Sequence, residues 1–203
     1  MAKPLTLPAI IRLAVEIGII PRHASLTRGG EAAWESGELE YVGWVSRTAA
    51  GNLSWDMNIG DVNFGPQMDR FGRMSIPIRS EQNEVTWPRK ADDTLEEFLT
   101  EGPGKASKFV MSRLDLCQLL AAESSIYRGN LHAWLPVANY PARLVQALII
   151  ARDIPSTQLE SEILERMNQG DIHISPDRSL NVYEDARYWA QRYSSALGIA
   201  IAI

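Results

Sequence analysis

Cysteine is almost missing from this chain, histidine is scarce, and no apolar run is long enough to span a membrane. Each shortage excludes something. The single cysteine, Cys117, cannot close an intrachain disulfide, so the sequence gives no support for a stapled secreted scaffold and the cytoplasm is the expected location. The three histidines, His23, His132 and His173, stand alone, with no H-x-x-x-H, H-E-x-x-H or C-x-x-C spacing, so no metal site is implied. The stretch L-P-A-I-I-R-L-A-V-E-I-G-I-I at 7–20 is broken by Arg12 and Glu16. It is too short for a membrane span and makes a poor signal peptide.

Nucleotide and hydrolase signatures are also lacking. There is no G-x-G-x-x-G and no G-x-S-x-G. The segment G-P-G-K-A-S at 102–107 resembles a phosphate loop only superficially: Leu99 stands where the first glycine is needed and Ala106 where a serine or threonine is needed. A helix-to-helix connector is expected there, and no cofactor is implied. Cys117 lies in an apolar helical stripe, which suits a core residue better than a nucleophile.

A basic excess is missing as well. The chain of 203 residues carries a net charge of −5, and its halves differ: residues 1–91 hold ten Lys/Arg and ten Asp/Glu, residues 92–203 ten and fifteen. Phosphate backbones need a basic stripe, so a nucleic-acid partner is disfavoured. An acidic C-terminal half suits a basic protein partner.

What is present reads as α+β. Pro8 with Ile10, Leu13, Ala14 and Ile17 predicts an N-terminal helix stopped by Gly18 and Pro21, and Ile11, Val15 and Ile19 add a second apolar stripe. An antiparallel sheet of about four strands follows, at 38–47, 53–60, 74–79 and 84–87, with Pro77 expected at an edge or bulge. After Pro88 the chain turns helical. Helices are expected from Asp93 to about Thr100, from Ala106 to Glu123, from Pro141, from Ser156 to Gly170, and from Asn181 to about Leu197. These form an irregular helical C-terminal half, and the closing I-A-I-A-I reads as a short strand returning to the sheet. That return favours a single domain over 1–203; the alternative is a helix-plus-sheet domain at 1–90 and a helical domain at 91–203.

The run S-W-D-M-N-I-G-D-V-N at 54–63 places oxygen-bearing side chains at alternate positions. As a calcium loop starting at Asp56 it fails, with Gly60 at the fifth position, Asp61 at the sixth and Gln67 at the twelfth. As a strand paired through a two-residue Gly51-Asn52 turn, it sets Trp44 opposite Ile59 and Arg47 opposite Asp56. One face then collects Val42, Trp44, Trp55, Met57 and Ile59.

These exclusions favour a non-catalytic interaction protein, of the kind of a bacterial immunity or antitoxin-like inhibitor, binding a basic protein. The residues expected to contact that partner are Trp34, an aromatic in the polar stretch G-G-E-A-A-W-E-S-G, and the acids Glu160, Glu162, Glu165, Asp171 and Asp177 off the Leu159, Ile163, Met167 stripe. Two alternatives remain. One is an enzyme assembled from Asp56, Asp61, Asp171 and His173; the other is a small-ligand or nucleotide binder using Arg70, Arg73, Arg79, Arg89 and Lys90 with Phe71 and Trp87.

Overall fold

A computed structural model describes residues 5–47, 53–62, 76–80, 92–129, 131–133, 135, 140–154, 156–168, 171–175, 178–181, 187–188, 191–192 and 195. The chain divides into two compact units that interleave along the sequence. The first comprises Met1–Val62, Ser75–Met111 and Tyr127–Trp134, and the second comprises the remainder.

The first unit begins with α1 (Leu7–Glu16), which starts with Pro8 in its first turn, where a missing N–H costs nothing. Its inward side chains are Ile10, Ile11 and Ala14, while Ile17 is exposed beyond the C-terminal end. The strands β1 (Ser25–Leu26), β2 (Glu31–Ser36), β3 (Leu39–Arg47), β4 (Leu53–Asp61) and β5 (Ile76–Ser80) form an antiparallel meander. The helices α2 (Asp92–Glu101) and α3 (Pro103–Ala106) follow, so the expected connector at 102–107 contains a helical turn of its own. Beyond α4, described below, the short strands β6 (Ile126–Arg128) and β7 (Leu131–Ala133) complete the sheet in the order β1-β2-β3-β4-β5-β7-β6.

The α+β architecture expected from the sequence is present, with a larger sheet. Pro77 was expected at an edge or bulge, but its strand lies between β4 and β7 in the sheet, with Pro77 opposite Asn58 of β4.

The register between β3 and β4 differs from the expected one. Tyr41 lies opposite Ile59, Gly43 opposite Met57, Val45 opposite Trp55 and Arg47 opposite Leu53. The five residues 48–52 join the strands, where a two-residue turn would have shifted the pairing by three and reversed the parity of β3. Trp55, Met57 and Ile59 do share the buried face, but their neighbours are Leu39, Tyr41 and Val45, with Ala32 and Trp34 continuing that face on β2. Val42 and Trp44 lie on the opposite, half-buried face. Arg47 and Asp56, expected to pair across the strands, are not opposite each other in this register and fall on opposite faces. Asp56 aligns instead with Trp44 on one side and Arg79 on the other, and it accepts a hydrogen bond from the Ser46 hydroxyl at 3.4 Å.

The inner face explains the parity. A Cβ on Gly43 would lie 2.3 Å from the indole of Trp55, so the ring occupies the space that a side chain at 43 would fill. The sheet packs against α1 and α3, and the hydroxyl of Tyr41 donates to the carbonyl of Val110 at 3.0 Å. Phe98, Leu99, Phe109 and Val110 add to this core.

The second unit contains α4 (Arg113–Leu120), α5 (Tyr140–Asp153), α6 (Thr157–Asn168) and a separate hairpin of β8 (Asp171–Ser175) and β9 (Arg178–Asn181). The helix α4 is shorter than expected. Ser112 caps it by accepting from the Asp115 amide at 3.1 Å, while the amides of Lys108 and Phe109 close the end of α3. Leu116, Cys117, Leu119, Leu120 and Ala121 are buried on the apolar side of this helix, whereas Leu114 is 44% exposed. The helix α5 packs against both α4 and α6 and is buried over every residue from Arg143 to Ala151. Such all-round burial marks a central helix.

The expected strand at 84–87 and the closing I-A-I-A-I lie outside the described residues. So does most of the helix expected from Asn181. Asn181 itself ends β9.

Replacing Gly43 by Ala should cost about 2 kcal/mol by overpacking against Trp55, read as a lower urea midpoint with unchanged slope. Val42→Ala, on the half-buried face, should cost less than half of that; equal losses would contradict the assigned parity.

Candidate interaction surface

The helix α6 carries the acidic face anticipated from the sequence. Leu159, Ile163 and Met167 recur at helical spacing and are buried. This directs Glu162 and Glu165 to solvent, where both are exposed.

Glu160 is placed differently. It lies in the first turn of α6, where a carboxylate favours the positive end of the helix dipole, and accepts from Arg152 Nε of α5 at 2.6 Å. Both side chains are partly buried, so this pair ties the two helices together and leaves less of Glu160 for a partner. Glu162 accepts from the Gln158 amide at 3.1 Å across one turn, an exposed contact that a competing cation can displace.

Asp171 opens β8 opposite Asn181. Asp177 lies outside the described residues. Trp34 does not stand out from the surface: it is 7% exposed and stacks on Tyr41 with centroids 5.2 Å apart and planes inclined by 6°. A polar, glycine-flanked sequence concealed a strand whose alternate residues Ala32 and Trp34 complete the inner face.

The residues considered for a dispersed enzyme site separate by element. Asp56 is on the half-buried face of β4, whereas Asp61 shares the buried face with its partner Leu39 and is 5% exposed. Asp171 and His173 lie two apart on β8 in the second unit, opposite Asn181 and Ser179. Of the cationic surface considered for a ligand, Arg79 aligns with Asp56 and His132 in the sheet. Arg70, Arg73, Arg89, Lys90, Phe71 and Trp87 lie outside the described residues.

The sheet presents one feature that sequence reasoning missed. Trp44 is half-buried between Glu31 on β2 and Asp56 on β4, both directly opposite it in register. An indole flanked by carboxylates suits a lysine or arginine side chain. The signal was available in parity: Glu40, Val42, Trp44 and Ser46 share a face, and its glutamate and serine make it the outer one.

Cys117 is fully buried, and its thiol donates to the Ala147 carbonyl at 3.0 Å. Burial pushes the thiol pKa up to about 12. Below that pH the nucleophilic thiolate is rare, which accords with a packing role. Among the described residues no group of three or more His, Cys, Asp or Glu side chains could hold a metal ion, and no helix is long and apolar enough to cross a membrane.

No protein family, curated protein or solved structure matches the chain.

Cys117 should resist an aromatic disulfide reagent in the folded protein between pH 7 and 9, with labelling appearing only as denaturant opens the second unit. Rapid stoichiometric labelling in native buffer would show that the thiol is not held as described.

Proposed function

We propose that this protein is a non-catalytic interaction module that binds a basic protein partner, in the manner of an immunity or antitoxin-like inhibitor. The observation that carries this reading is the acidic outer face of α6, with Glu162 and Glu165 exposed opposite a fully buried apolar stripe. Two carboxylates one turn apart on a rigid helix offer directed charge, which steers encounter and selects orientation more than it adds affinity. The unequal charge of the two halves of the chain supports the same sign of partner. Trp44, between Glu31 and Asp56, supplies a second place where a cationic side chain could rest on an aromatic face.

The test begins with affinity capture from native cells at low and high salt. A specific basic partner should be recovered at low salt and lost progressively as salt rises. The double substitution Glu162→Arg and Glu165→Arg should then slow association by about tenfold, with a smaller change in dissociation, as expected for charges that act on encounter. Unchanged association kinetics would remove the α6 face from the interface. Failure to recover any basic partner would overturn the reading itself.

A further inference from the structure

We infer that the second unit contains a binding site for a small oxyanion, of the phosphate or carboxylate class, formed by one edge of the Arg143 guanidinium and the hydroxyl of Tyr140. The inference is independent of the acidic face of α6. Both residues lie in the first turn of α5, three positions apart, and the guanidinium carbon sits 5.3 Å from the centroid of the tyrosine ring. Arg143 is 3% exposed and Tyr140 1%.

The guanidinium is only half used. Its Nη1 donates to the carbonyls of Leu120 and Ala122, at 3.0 and 2.7 Å, while its Nε and Nη2 are buried and have no hydrogen-bond partner among the described residues. Those two nitrogens form the lateral fork of the side chain, whose parallel N–H bonds match the two oxygens of a carboxylate or phosphate. The hydroxyl of Tyr140 is likewise buried: the Arg166 side chain approaches its oxygen, but no described residue accepts its proton. Among the described residues, three donor groups thus lack an acceptor within one helical turn, a combination that buried polar groups rarely retain.

The charges point the same way. Arg113 on α4 is also a buried arginine of this unit, but it is paired with Asp153. Among the described residues Arg143 has no such counterion: burial, opposed by Tyr140, lowers its pKa to about 10, so it remains protonated at neutral pH. Burial raises the pKa of Tyr140 against a hydrogen bond from the Arg166 side chain and the charges of Arg166 and Arg143, so its hydroxyl keeps its proton and remains a donor. Glu123 also acts on Tyr140 but is exposed.

The carbonyls at the end of α4, which would repel an anion, are already engaged. Arg143 takes those of Leu120 and Ala122, and Nη1 of Arg166 takes that of Ala121. An oxyanion on the free fork would neutralise a buried cation and satisfy the orphan donors together. A bridging water could accept the bonds but would leave the charge uncompensated. Because both residues are buried, the anion would be a structural ligand and not a substrate under turnover.

Full-length protein freed of anions by unfolding and refolding in chloride buffer should be titrated with inorganic phosphate and, separately, with acetate. Ionic strength is matched with chloride and melting temperature is the readout. At least one oxyanion should give a saturable rise of roughly 5 °C near full occupancy. A response to phosphate alone, acetate alone or both assigns the class. Arg143→Lys, which keeps the charge but loses the fork, should weaken the apparent affinity at least about tenfold. Tyr140→Phe keeps the buried ring, should also weaken it, and serves if the lysine variant does not fold. No saturable difference from chloride, or a response unchanged in the variants that fold, would overturn the inference.

Discussion

The indole of Trp55 lies over Gly43, and the parity of the first sheet follows from that contact. With a glycine at 43, Tyr41 and Val45 can face the core together with Trp55, Met57 and Ile59, and the remaining residues of β3 turn outward. Ala32 and Trp34 then fall on the buried face of β2 because they pair with Gly43 and Tyr41. The stacked Trp34–Tyr41 pair and the Tyr41 hydrogen bond to Val110 extend this order from β2 to the segment after α3. A small residue in the middle of a strand is usually a weakness in a sheet. Here it accommodates the largest side chain of the core.

The second unit solves a different problem. The helix α5 is buried on all sides and yet contains Arg143 and Gln146. Arg113, Arg143 and Arg166 are drawn inward by polar groups at helix ends: a carboxylate for the first, backbone carbonyls for the other two. Cations at the C-terminal end of α4 favour its dipole as well as its unpaired carbonyls. Arg113, Arg143 and Arg166 thus serve internal support, while Glu162 and Glu165 remain at the surface.

Several features were legible in the sequence because they depend on periodicity alone. The first helix, the strands β3 and β4, and the buried stripe of α6 follow from apolar spacing, and Cys117 was correctly read as a packing residue. The register was not legible, because it turned on whether Gly51-Asn52 alone made the turn. Glu40 and Ser46 nevertheless carried the needed signal, since they share a face with Trp44. The strand β2 was missed because Ala32 and Trp34 are separated by a small residue and flanked by glutamates, which weakens the apolar alternation. The late start of α4 depends on the Ser112 cap, a local polar contact that apolar periodicity does not encode. Within the candidate surface, Glu162 and Glu165 could be assigned from the α6 stripe, whereas the engagement of Glu160 by Arg152 required knowing how two helices meet.

The burial of α5 also bears on how the second unit opens. Its backbone hydrogen bonds are shielded by side chains on every side, so fraying at one surface gives no route for solvent to reach its interior. Amide exchange in the middle of α5 should therefore require the cooperative opening of the unit, with protection close to its full unfolding free energy. The exposed face of α6 has no such shield and can breathe independently. The shielded helix α5 is joined through Arg152 and Glu160 to the helix that meets solvent.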